Sequence, residues 1–123
     1  MSERELGRRV PTQEDFDLFA RISGDDNPIH VDPDFSERTR FGRTVAHGML
    51  LYSWAWALLR SHFPDRHFAH AQLMFPHPCF AGEEITFMLA GVTHGNVHVS
   101  VRRVQDNAEV LSLLTESEER SHD

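Results

Sequence analysis

A carboxylate and an imidazole stand five residues apart in the string Ser23-Gly24-Asp25-Asp26-Asn27-Pro28-Ile29-His30. Asp25 and His30 flank Pro28, which fixes its own φ and drives Asn27 toward an extended backbone. A loop stiffened this way can hold two side chains at a set separation. General acid–base chemistry needs that, because the proton passes over about 3 Å. Reference pKa values of about 4 and about 6.5 pair a carboxylate base with an imidazole that gives or takes a proton near neutrality. The same string is also a good turn, in which an Asp side chain caps the following backbone. The residue types leave both readings open.

A second segment, Val45-Ala46-His47-Gly48-Met49-Leu50-Leu51, follows, with His47 seventeen residues after His30. Gly48 opens an apolar run that reads as a helix. The first N–H groups of a helix lack intrahelical acceptors, and that end favours negative charge. A glycine there lets a ligand approach closely. The enolate oxygen of a reacting thioester is a charge of the kind such a site stabilises. The competing reading of Gly48 is a glycine that lets another element pack tightly. His47, its neighbour, reads as a buried, hydrogen-bonded histidine that lines a site without catalysing.

The elements that must position these residues can be traced along the chain. Arg8–Pro11 reads as a short first strand. Thr12 is a helix N-cap, with Gln13, Glu14 and Asp15 in the first turn, and Gly24 stops that helix. Residues 24–33 are loop by composition, and Asp32-Pro33 starts a short helix to about Thr39. From about His47 to His62 the chain is apolar on nearly every side, which predicts a buried helix closed by Pro64. The period then changes to two. Strands are predicted over Phe68–Phe75, Glu84–Val92, Val97–Val104 and Val110–Thr115, with Gly, Pro, Asn and Asp at the turns between them. Helices first and an antiparallel meander after them define an α+β fold. The polar, acidic end from Glu116 to Asp123 is expected to fray.

Composition removes several function classes. The chain has 123 residues, enough for one domain with a real core. Its net charge of −7 argues against nucleic acid as a partner. All 12 basic residues are Arg, which excludes a Schiff-base or P-loop lysine. Arg is left as the fixed side-chain cation for any phosphate-bearing ligand; Arg38, Arg40 and Arg43 are either solvated or offered to such a phosphate. The single cysteine, Cys79, forms no internal disulfide and reads as a small hydrophobe near a turn. Nine histidines invite a metal reading, but no Cys or Glu completes a recognisable zinc set, so no metal is expected. Residues 44–59 are too short and too mixed to span a bilayer, and Met1–Arg9 lacks an apolar signal core. No membrane association and a cytoplasmic location are therefore expected.

Together these segments resemble the MaoC-like (R)-specific enoyl-CoA hydratase and 3-hydroxyacyl thioester dehydratase family. The likeness rests on Ser23–His30 with Val31-Asp32-Pro33 and Phe35, on Val45–Leu51, and on Pro78-Cys79-Phe80-Ala81-Gly82-Glu83-Glu84-Ile85. The resemblance implies a hot-dog fold over residues 1–118, an antiparallel sheet wrapped around one long helix, with 119–123 as a disordered tail. It implies a homodimer or a dimer of dimers, and an acyl thioester of coenzyme A or of an acyl carrier as substrate, with no cofactor. It matches Asp25 and His30 to the acid/base pair, Gly48 to the oxyanion donor, and Asn27 to a residue that orients the loop. There is one departure. Some hydratases of the family carry a Ser eight residues after the glycine, where this chain has Trp56. A hot-dog acyl thioesterase and a non-catalytic hot-dog subunit are the alternatives, and the Gly-Asp-x-Asn-Pro-x-His string argues against both.

Overall fold

The computed structural model describes residues 3–119. A first strand, β1 (Arg4–Arg9), leads into helix α1 (Gln13–Ser23). Two short helices, α2 (Pro28–Val31) and α3 (Pro33–Glu37), precede the long helix α4 (Gly48–His62). Strands β2 (Arg66–Met74), β3 (Ile85–Thr93), β4 (Asn96–Arg103) and β5 (Glu109–Glu119) complete the chain. They form one antiparallel five-stranded sheet in the order β1-β3-β4-β5-β2.

The core lies between α4 and the inner face of this sheet. Leu51, Ala55 and Leu59 of α4 meet Phe87, Val99, Val101, Leu111 and Leu113, all buried. The strand residues alternate, so each strand sends every second side chain inward. Val97, Val99 and Val101 occupy that inner face, as the period predicts.

Capping sets the helix ends. The Thr12 hydroxyl accepts from the Asp15 N–H while the Asp15 carboxylate accepts from the Thr12 N–H, a reciprocal capping box. Gly24 ends α1 at a φ of 82°, a left-handed conformation that glycine adopts without a Cβ penalty.

Four expectations need correction. The first strand begins earlier, at Arg4 rather than Arg8. Its only buried side chain is Leu6, among charged residues that face outward. The loop expected from Gly24 to Pro33 contains a helical turn, because Asn27 caps it and Pro28 suits its first position. The expected fraying from Glu116 does not hold as far as Glu119, since β5 pairs there with Arg66–Ala69 of β2. Thr115 and Ser117 carry the inward positions, and the Arg66 Nε–H donates to the Ser117 hydroxyl at 2.7 Å. Residues 120–123 of the expected tail lie outside the described residues. Finally, α4 is not covered on all sides: Met49 is 52% exposed and Trp56 40% exposed.

Candidate active site

The loop between α1 and α2 is built from local bonds. The Gly24 N–H donates to the Ala20 carbonyl at 2.9 Å, and the Asp25 N–H donates to the Ser23 hydroxyl at 3.1 Å. Asn27 holds its ψ at 131°, clear of the helical region, as a residue before proline should, and its side-chain oxygen accepts from the Ile29 N–H at 3.1 Å. This cap starts the turn that carries His30. The loop is then tied to the body of the protein. Gln13 donates to the His30 carbonyl at 2.9 Å and accepts from the Thr44 hydroxyl at 2.6 Å.

The two readings of Asp25 prove compatible. One carboxylate oxygen accepts from the Asn27 N–H at 3.4 Å, the turn role. The other lies 3.8 Å from His30 Nε2. His30 Nδ1 is 2.8 Å from the Val45 carbonyl, which can only accept, so Nδ1 carries the proton. In the neutral ring Nε2 then presents its lone pair toward Asp25. At 3.8 Å the two groups are placed to share one small molecule such as water. The Asp25 side chain is 55% exposed and that of His30 15%.

His47 is the N-cap of α4, yet its side chain caps nothing in its own helix. Its Nε2–H donates to the Asp25 backbone carbonyl at 2.9 Å. Its ring stacks on His30 with centroids 3.9 Å apart and planes 24° apart. Burial pushes its pKa below the usual imidazole value, an effect that the bond to Asp25 opposes. The first-turn N–H groups of α4, at Gly48 and Met49, are left without a side-chain cap.

These groups meet in a cavity of about 460 Å³ whose lining includes Asp25, His47, Gly48, Leu51, Phe75 and Cys79. His30 does not line it. It stands one layer back, touching the lining residues Asp25 and His47. Cys79 is buried and its thiol is pushed up to about 12, chiefly by burial, which disfavours the thiolate that a nucleophile needs. Arg40 reaches the cavity, whereas Arg43 is held by Glu83 at 2.9 Å and by the Ala81 carbonyl at 2.7 Å. Tyr52, Trp54 and Trp56 do not line the cavity.

Asp25, His30 and His47 place one potential metal-ligand atom each within 4.8 Å of one another. The grouping was not visible as a zinc motif in sequence. The near-parallel stack keeps the two ring lone pairs in planes lying one above the other, so they do not converge readily on a common centre, which suits a tetrahedral ion poorly.

A sheet curled around one helix is the hot-dog arrangement, and here a carboxylate and an imidazole stand beside the uncapped N-terminus of that helix. Residues 3–112 match the family model described as the MaoC like domain. The chain belongs to that family.

Among its relatives is an (R)-specific enoyl-CoA hydratase from Aeromonas caviae, 41% identical over 99 residues, covering 79% of this chain and 66% of the relative. A mitochondrial 3-hydroxyacyl-[acyl-carrier-protein] dehydratase from Arabidopsis thaliana is 32% identical over 84 residues, covering 68% of this chain and 51% of the relative. The matched part therefore spans between half and two thirds of these relatives. The solved structure of the (R)-hydratase from A. caviae involved in PHA biosynthesis superimposes with a TM-score of 0.83 at 24% identity, covering 97% of this chain and 95% of that one. An R-hydratase from Pseudomonas aeruginosa gives 0.80 at 23% identity, covering 98% and 81%. Both confirm the hot-dog fold.

Proposed function

We propose that the chain catalyses the reversible hydration of a trans-2-enoyl thioester to an (R)-3-hydroxyacyl thioester, the dehydration being the same path reversed. The observation that carries this reading is the 3.8 Å approach of Asp25 to His30 Nε2 beside the uncapped Gly48 end of α4. The named activities of the relatives support it.

In the proposed step, Asp25 and His30 hold a water molecule. One of them takes a proton from it as the oxygen bonds to C3. The C2–C3 π electrons move onto the thioester oxygen, where the Gly48 N–H stabilises the enolate. The proton taken from the water then passes through the pair to C2 as the C=O bond re-forms, so Asp25 and His30 end in the protonation state in which they began. Asn27 holds the loop that presents the pair. Only water and protons move, so side chains suffice without a redox or group-carrying cofactor. Arg40 is placed to meet a polar or charged part of the thioester carrier.

We further propose that two copies assemble. The strands at the two sheet edges, β1 and β2, leave backbone groups unpaired. Met49 on α4 and Phe75 just past β2 are exposed at the cavity, and Trp56 on α4 and Met74 at the end of β2 add exposed apolar surface. Among the described residues no helix is long and apolar enough to cross a membrane.

The test is loss of enoyl absorbance with crotonyl-CoA and longer trans-2-enoyl-CoA substrates. Hydration by the purified protein supports the reading. Thiol release from saturated acyl-CoA without any change in enoyl absorbance would point to thioester hydrolysis instead.

A further inference from the structure

An N-cap side chain ordinarily turns back to accept a hydrogen bond from the second or third N–H of its own helix. His47 does the opposite. Its side chain makes no capping bond in α4, and its Nε2–H reaches the Asp25 carbonyl at 2.9 Å, twenty-two residues back in the chain. One contact thus fixes the backbone of the residue that carries the carboxylate. A second contact, the 3.9 Å ring stack, fixes the imidazole of His30. Phe19 of α1 flanks the ring at 4.8 Å between centroids.

The ring is only 2% exposed, and its Nδ1 has no hydrogen-bond partner among the described residues. Leaving a buried ring nitrogen unpaired carries a desolvation cost. A residue kept for packing alone would avoid that cost, since an apolar ring of similar size would fill the space. What a phenyl ring cannot supply is the bond to Asp25. A residue with a strong preference for the N-cap, such as Ser or Asn, would instead occupy the N–H groups that His47 leaves open beside Gly48.

We propose that His47 is a positioning residue that locks the acid/base loop to the oxyanion end of α4, setting the distance between the proton-transfer groups and the N–H that receives the enolate. This rests on the assignment of Asp25, His30 and Gly48 to the reaction made above. His47 itself exchanges no proton with substrate. Its proton stays on Nε2, because the Asp25 carbonyl can only accept. The uncharged ring beside His30 lets the imidazole pair take up one proton without bringing two positive charges into contact.

The test is His47→Asn, a side chain suited to capping α4 but too short to keep the stack. Expected are a melting temperature equal to or above that of the unmodified protein, unchanged amide exchange in α4, and faster amide exchange across Asp25–His30. Turnover of a trans-2-enoyl-CoA should drop on the order of a hundredfold in kcat, the cost of a misplacement of about 1 Å, with little change in KM. His47→Gln, whose amide keeps a donor near the Nε2 position, should recover part of the loop protection and part of kcat.

Unchanged loop exchange in His47→Asn would overturn the proposal. So would faster loop exchange with kcat within about twofold, or a joint loss of melting temperature, α4 protection and turnover, which marks a structural role alone. Should the unmodified protein hydrate no enoyl thioester, the catalytic reading fails by itself, and the exchange data still decide whether His47 ties the loop to α4.

Discussion

The ring of Phe75 lies across the Cα of Gly48, so that a Cβ built on Gly48 would meet the ring Cζ at 2.7 Å and Cε1 at 2.8 Å. A side chain larger than hydrogen at position 48 must therefore displace this ring. Phe75 is 46% exposed just past the end of β2, so it can move at moderate cost. Gly48→Ala is expected to lose about 1–3 kcal/mol in urea unfolding, the usual cost of overpacking. In a double-mutant cycle with Phe75→Ala most of that loss should disappear. Activity should stay low in the double variant, because the added methyl still crowds the approach to the Gly48 N–H. Additive losses in stability would contradict the contact.

Asn27 should act through geometry. Its side chain caps the turn that bears His30, and removing a cap costs about 1 kcal/mol. Asn27→Ala should leave the fold intact and lower kcat by about tenfold to a hundredfold with KM little changed. Steady-state kinetics on an enoyl-CoA reads this directly. A change confined to KM would instead place Asn27 in ground-state binding.

Stability should fall in mild acid through His47. Burial lowers its pKa from the ordinary value of 6.5. The titratable groups facing it are Asp25 and His30. A depressed imidazole pKa means that the unfolded chain binds the proton more readily than the folded one. The contribution is thus fully present above about pH 6.5 and is lost as the pH falls through the lower pKa of the folded protein. Thermal melts across this range should show the decline, and His47→Gln should flatten it. An equal decline in His47→Gln would assign the effect to other groups.

The sequence signalled those parts whose causes are local. Thr12 with Asp15, and Gly24, marked both ends of α1 because capping acts within a turn. The valines of β4 marked the inner face because a strand alternates. The end of β5 was hidden because Thr115 and Ser117, not aliphatic residues, take its inward positions. The turn carrying His30 is four residues long, too short for a helical period to show. That α4 is left bare near Met49 and Trp56 follows from where the sheet lies, which the composition of the helix does not encode. The approach of Asp25 to His30 was legible through the stiff loop between them. The bond from His47 to Asp25 and the ring of Phe75 over Gly48 join residues distant in the chain, and no local signal reports them.

Assembly is open to a direct check. Light scattering should give twice the mass of the chain, or a multiple of that dimer. Trp56→Glu, which puts a charge on the bare side of α4, should shift the equilibrium toward monomer. A fully active monomer at micromolar concentration would contradict the proposed assembly.

The central claim is that Asp25 and His30 perform the proton transfers. Its most direct measurement is the rate of trans-2-enoyl-CoA hydration by Asp25→Asn and His30→Ala, each first shown to be folded by its melting curve. Asp25→Asn keeps the shape of the side chain and removes the charge, so any loss reports chemistry rather than packing. The account predicts that each variant falls by about 10²–10⁴-fold, the usual contribution of a positioned acid or base. Near-normal hydration by folded Asp25→Asn would contradict it.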